Sequence, residues 1–137
     1  MFIATRQATV LVPSGTADRP DLKHLFILLN DPHGEEQLVL IVSISTLRPG
    51  LHHDPTCLLY PDDHPFIRHP SFVRYGMARL EPAEKLQKGV RLGVLIPRTP
   101  MERSVFTRIC NGVCESAFTP RALKKFFAMI WPSERMT

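Results

Sequence analysis

Between Ala8 and Leu80 the chain breaks its apolar residues into short runs separated by proline, glycine, asparagine and aspartate, with no helical pattern of any length between them. That punctuation limits the fold more than any other feature of the sequence. Short β-rich runs with long, proline-bearing connections suit a small antiparallel sheet that bends strongly on itself. A parallel sheet would need crossover helices between its strands. ATVLVP (8–13) is rich in β-branched residues and stops at Pro13, Ser14 and Gly15. After the polar loop SGTADRPD, the run KHLFILLN (23–30) is continuously apolar and is broken by NDPHGEE. QLVLIVSIST (37–46) is apolar on both faces until Ser43 and Ser45 alternate with Ile44, which predicts a central strand. TCLLY (56–60) reads as a short strand and His64 to Ile67 as a brief apolar piece. In SFVRYGMARL (71–80), Phe72, Arg74 and Gly76 fall on one side and Val73, Tyr75 and Met77 on the other, so one edge faces solvent.

From Glu81 the pattern changes to helix. EPAEKLQK (81–88) has Pro82 at a tolerated first-turn position and Gly89 as its stop. Thr99, Pro100 and Glu102 form a capping signature in which the Thr99 hydroxyl accepts from the Glu102 amide, and Met101, Val105, Ile109 and Val113 recur every four residues beyond it. Gly112 weakens the last turn by about 1 kcal/mol relative to alanine. Thr119 and Pro120 repeat the cap before a final helix, RALKKFFAMIW, with Leu123, Phe126, Phe127 and Ile130 at helical spacing. The expected architecture is one domain over 1–137, strand-rich from 1 to 80 and helical from 81 to 137, with a single core: mainly β with C-terminal helices, an α+β fold built on a small, bent barrel.

A chain of 137 residues is one domain's worth and buries roughly 65 to 70% of its unfolded surface. No apolar run approaches the ~20 residues that cross a bilayer, and Gln7 and Thr9 interrupt the N-terminal apolar stretch that a secretion signal requires. The expectation is a cytoplasmic protein with no membrane partner. Cys57, Cys110 and Cys114 are an odd count and are expected as reduced thiols. A net charge of +4 permits attraction to a polyanion such as RNA.

The chemistry-bearing residues gather in HHDPTCLLYPDDHPFIRHPSFVRY (52–75), which holds four of the six histidines. His53, Cys57, His64 and His69, with three, six and four intervening residues, do not match the close ligand pairs of finger or ribbon zinc sites, so no metal site and no cofactor is expected. Cys57 sits in an apolar strand, where a buried thiol is the expected role, although His53 or His64 could serve as the base of a cysteine nucleophile. RNA cleavage needs neither metal nor protein nucleophile. The ribose 2′-hydroxyl attacks its own phosphate once a base takes its proton and a cation steadies the charge. His64 and His69 are the candidate base and acid, Arg68 and Arg74 the candidate phosphate contacts, and Thr56 and Ser71 the candidate orienting hydroxyls. A turn role for His64, hydrogen-bonding the backbone within Asp63-His64-Pro65, is the competing reading.

The succession TVLVP, KHLFILL, VLIVSISTL, HDPTCLL, DHPFI, HPSFVRY and CESAFTPRALKKFF resembles small bacterial toxins of the PemK-like and MazF-like superfamily over nearly the whole chain. The resemblance implies an SH3-like barrel with a few helices. It also implies the toxin half of a type II toxin–antitoxin system: a sequence-preferring endoribonuclease that usually dimerises and is neutralised by a cognate antitoxin. The Arg-Gly-Asp or Arg-Gly-Glu segment that members carry beside an early strand has no counterpart between Arg6 and Pro13. The site is therefore expected in the 52–75 block, with catalytic His64, His69 and Arg74 and with Thr56, Arg68 and Ser71 on the substrate. A non-catalytic module binding a protein or nucleic acid on the same barrel is the alternative.

Overall fold

The computed structural model describes residues 1–14 and 22–136, with side chains through Trp131. The loop expected over 14–21 lies, apart from Ser14, outside the described residues. Six strands, β1 (Thr9–Pro13), β2 (Lys23–Leu28), β3 (Leu38–Thr46), β4 (Leu58–Leu59), β5 (Ser71–Pro82) and β6 (Ile96–Arg98), form one antiparallel sheet in the order β4-β5-β3-β2-β1-β6. The sheet curls into a half-barrel, and three helices complete an α+β fold: α1 (Ala83–Arg91), α2 (Arg103–Glu115) and α3 (Arg121–Met136). Among the described residues no helix is long and apolar enough to cross a membrane.

β3 is central, as its two-faced apolar run predicts, because a strand with neighbours on both sides and layers above and below exposes neither face. The ladder between β3 and β5 slips once. Ile41 pairs with Arg79 and Ser43 with Arg74, so the excess residues bulge out of β5 around Gly76 and Met77. The bulge breaks the strict alternation expected for 71–80: Val73 and Tyr75 are fully buried, Met77 is 56% exposed, and Ala78 takes the next inward position.

The sheet buries both faces, so the single core expected from the sequence is two apolar clusters sharing the same strands. On one face Leu25, Ile27, Leu40, Val42, Val73 and Tyr75 meet Met101, Val105, Ile109 and Val113 of the α2 stripe, together with Phe127 and Trp131 of α3. On the other, Val10, Phe26, Leu28, Val39 and Ile41 pack under Ala83 and Leu86 of α1 and Ala4 of the N-terminal segment. Each such side chain contributes about 1.5–3 kcal/mol on full burial.

Three boundaries differ from the sequence-based expectation, each for a local reason. α1 runs through Gly89 to Arg91: Gly89 is a place of close approach, where an added Cβ would lie 2.8 Å from Leu95, and the left-handed residue that follows the helix is Gly93. The cap of α2 is Glu102 itself, whose carboxylate accepts from the amides of Ser104 at 3.0 Å and Val105 at 3.2 Å, while Thr99 stays in the extended segment after β6. Only Leu58 and Leu59 of the TCLLY segment pair as a strand, and a 3₁₀ turn at Pro61–Asp63 occupies the approach to the 64–67 piece.

Candidate functional site

Where β3 ends, Thr46 pairs with Ser71 in the last rung of the β3–β5 ladder, and Leu47 N–H donates to Pro70 O at 2.9 Å. The chain then turns at Arg48-Pro49-Gly50, with Gly50 at φ +79°, and runs back as His52, His53 and Asp54. Asp54 fixes this return. Its Oδ1 accepts from Thr56 N at 2.9 Å and Thr56 Oγ1 at 2.5 Å, and its Oδ2 accepts from Ser116 Oγ at 2.6 Å. Ser116 is fully buried at the end of α2 and itself accepts from Phe118 N at 3.0 Å. Burial alone would raise the Asp54 pKa, but the hydrogen bonds from Ser116 and Thr56 outweigh it and hold the carboxyl below its ordinary range. The loop is thereby pinned to α2, and the neighbouring His53 lies against Phe72 with ring centroids 5.5 Å apart.

That arrangement walls a cleft of about 410 Å³ between the loop, the exposed end of the β3–β5 face and the segment after α2. Ser45, Phe72 and Arg74 come from the strands, Arg48, His52 and His53 from the loop, and Phe118 from beyond α2, its ring 6.0 Å edge-on from His52. Strand parity explains the polar floor. Ser43 pairs with Arg74 and Ser45 with Phe72, so these four share a face, and α1 covers only the other end of it. Arg74 makes no ion pair among the described residues.

His24 belongs to the same face, two residues before Phe26, which pairs with Ser43. Burial, and then the charge of Arg74, lower its pKa, so the ring is held neutral near pH 7. Its Nδ1 is hydrogen-bonded to the Ser14 hydroxyl, which also lies 3.3 Å from Val12 O. Arg74 thus shares the cleft with His52 and His53 and lies near enough to His24 for its charge to be felt there.

The six residues expected as the site do not converge. Arg74 is in the cleft, and Thr56 is taken up by Asp54. His64 is 3% exposed, its Nε2–H donates to Thr99 O at 2.6 Å, and its Nδ1 accepts from Phe66 N at 3.0 Å. Both nitrogens therefore serve the backbone, tying the turn after β4 to the segment after β6. Arg68 and His69 are exposed and line a second cleft, about 260 Å³, with Ser71, whose buried hydroxyl donates to His69 O at 2.7 Å.

Cys57 is buried, and that burial pushes its thiol pKa up, the opposite of what an attacking thiolate needs. Among the described residues no three His, Cys, Asp or Glu side chains are grouped to hold a metal ion, so His53, Cys57, His64 and His69 do not form a cluster.

The cleft contains Arg48 and His52, which carry no role predicted from sequence, and His53, weighed there only as a metal ligand or as a base for Cys57; His24, from a strand far off in sequence, lies on the same sheet face as Arg74. A signal for His24 was present in period two, since His24, Phe26 and Leu28 share one face of their strand; which residues it faces depends on a register that only pairing supplies. No protein-family model, curated protein or solved structure matches this chain.

Proposed function

We propose that the chain is the toxin of a PemK/MazF-type toxin–antitoxin pair, a cytoplasmic endoribonuclease that cleaves RNA at the Arg74 cleft without a metal and is restrained by a cognate antitoxin. The observation that carries this reading is Arg74, a cation with no ion-pair partner among the described residues, lying beside a neutral His24 and facing the loop imidazoles. The resemblance of nearly the whole chain's sequence to that superfamily supports it, although the Arg-Gly segment of its members has no counterpart here. The aromatic rings of Phe72 and Phe118 beside the cations also suit a ligand with both bases and phosphates.

In this reading His24 Nε2 takes the proton of a ribose 2′-hydroxyl as its oxygen attacks the adjoining phosphorus. Arg74, with Arg48 at the mouth of the cleft, stabilises the charge that develops on the phosphoryl oxygens. The bond from phosphorus to the 5′-oxygen breaks, and His53 in its charged form gives that oxygen a proton, leaving a 2′,3′-cyclic phosphate and a 5′-hydroxyl. His64, His69 and Arg68 stand outside this set.

The experiment is incubation of end-labelled RNA in excess EDTA with the wild type and with Arg74→Ala, scoring both cleavage and the chemistry of the new ends. Wild-type cleavage giving cyclic phosphate ends, lost in the variant, supports the reading. An intact RNA that is nevertheless bound in an Arg74-dependent way would reduce the chain to a binding module.

A further inference from the structure

The second cleft lies across the same strand ends from the first. Lys23, Arg68 and His69 line it with Thr46, Ser71 and Phe66, and none of the described residues lining it is acidic. Thr46 lines both clefts. Strand geometry makes this so, because successive residues on β5 face opposite ways: Phe72 turns into the first cleft and Ser71 into the second, opposite Ser45 and Thr46 on β3. The last rung of the ladder is the ridge between two cationic depressions. Arg48, His53 and Arg74 stand on one side of it, and Lys23, Arg68 and His69 on the other.

We infer that the Lys23–Arg68–His69 cleft is a second phosphate subsite for the same RNA strand, which crosses the ridge at Thr46 on leaving the Arg74 cleft. The inference rests on the RNA reading of the first cleft. Charge and continuity carry it: a strand with a phosphate at every nucleotide meets cations on both sides of the ridge, and no carboxylate is among the described residues of the second cleft. Nucleotides flanking the reacting pair are then gripped by residues that take no part in the chemistry, and long RNAs bind more tightly than their reacting nucleotides alone would dictate.

The test measures fluorescence anisotropy with uncleavable 2′-fluoro oligonucleotides, a trinucleotide and a dodecanucleotide, at several salt concentrations. The proteins are the wild type, Arg74→Ala and the double variant Lys23→Ala with Arg68→Ala. Both residues of the double variant are exposed, so the fold is preserved, and circular dichroism checks it. The double variant should lose about tenfold in affinity for the dodecanucleotide, with a salt slope shallower by about 1.4 for two lost phosphate contacts, and should bind the trinucleotide as the wild type does. Wild-type-like binding of both lengths by the double variant, with Arg74→Ala impaired, overturns the subsite and leaves the RNA reading standing. Equal loss for both lengths also overturns it, since the short probe occupies one cleft. Failure of the wild type to bind either length overturns both readings together.

Discussion

Gly112 and Tyr75 fill a volume that admits no further carbon: a Cβ on Gly112 would lie 1.9 Å from Tyr75 Oη, which donates to Ile109 O at 2.7 Å. In isolation the glycine looks like a weak point of α2. In the folded chain it is the notch that lets a fully buried tyrosine reach a helix carbonyl. Gly112→Ala gains about 1 kcal/mol of helix propensity but forces the ring or the helix to move, an overpacking cost of about 3 kcal/mol. Urea unfolding should therefore show a net loss. Tyr75→Phe removes the hydroxyl and should relieve part of that loss when combined with Gly112→Ala. A Gly112→Ala protein as stable as the wild type would mean the pair is not in contact.

His64 is predicted to matter for stability and not for cleavage. Its two backbone hydrogen bonds leave no nitrogen for substrate, and His64→Ala removes both, leaving the Phe66 amide without its acceptor while Thr99 O keeps its bond from Thr9 Oγ1 at 2.8 Å, a cost of about 1–2 kcal/mol. The denaturation midpoint should fall. The cleavage rate per folded molecule, measured well below that midpoint, should stay within about twofold of wild type, and a hundredfold drop there would return His64 to the mechanism.

The lowered pKa of His24 gives a signature in both rate and stability. Between that lowered value and the ~6.5 of an unperturbed imidazole, the unfolded chain binds more protons than the folded one, so stability rises with pH through the window. For a general base the same titration makes kcat/KM rise with pH along its acid limb, with a midpoint below ~6.5. His24→Gln should flatten the stability profile there and cost about 10²-fold in rate. An acid limb that survives in His24→Gln would assign it to another group.

Asp54 is predicted to act on the site through His53. Asp54→Ala leaves a buried Ser116 hydroxyl and the Thr56 amide without their acceptor, a loss of about 3 kcal/mol, and frees the loop that carries His53. RNA affinity should fall about tenfold even at temperatures where the variant is folded. Because the folded carboxyl has a lowered pKa, its contribution is full above the unfolded value of ~3.9 and disappears as pH falls through the folded one. Asp54→Asn should lose that slope. An acid profile identical to wild type would show that the carboxylate is not the group being titrated.

Much of the sheet was legible because β-branched runs with turn residues at their ends are local signals, and β1, β2, β3 and β5 begin or end within a few residues of where the sequence puts them. The α2 stripe was legible for the same reason, its four spaced residues all lying in the core. β6 was not, since Ile96, Pro97 and Arg98 have no strand pattern of their own and are held by pairing with β1. The site was half legible. Composition singled out the block from 52 to 75, which supplies His52, His53 and Arg74 of the candidate cleft, but choosing among its histidines needed to know which rings the backbone consumes, and setting His24 on the face of Arg74 needed the register of β2 against β3.

The two ends of the sheet bear on how copies of this chain can meet. β4 is two residues long, and β6 is three with Pro97 at its centre and Arg98 beside it. A half-barrel is open and so has free margins, yet neither of these two end strands is long enough for another strand to zip onto, and proline removes a donor from the middle of one of them. Growth of the sheet from molecule to molecule through β4 or β6 is thereby disfavoured without closing the barrel.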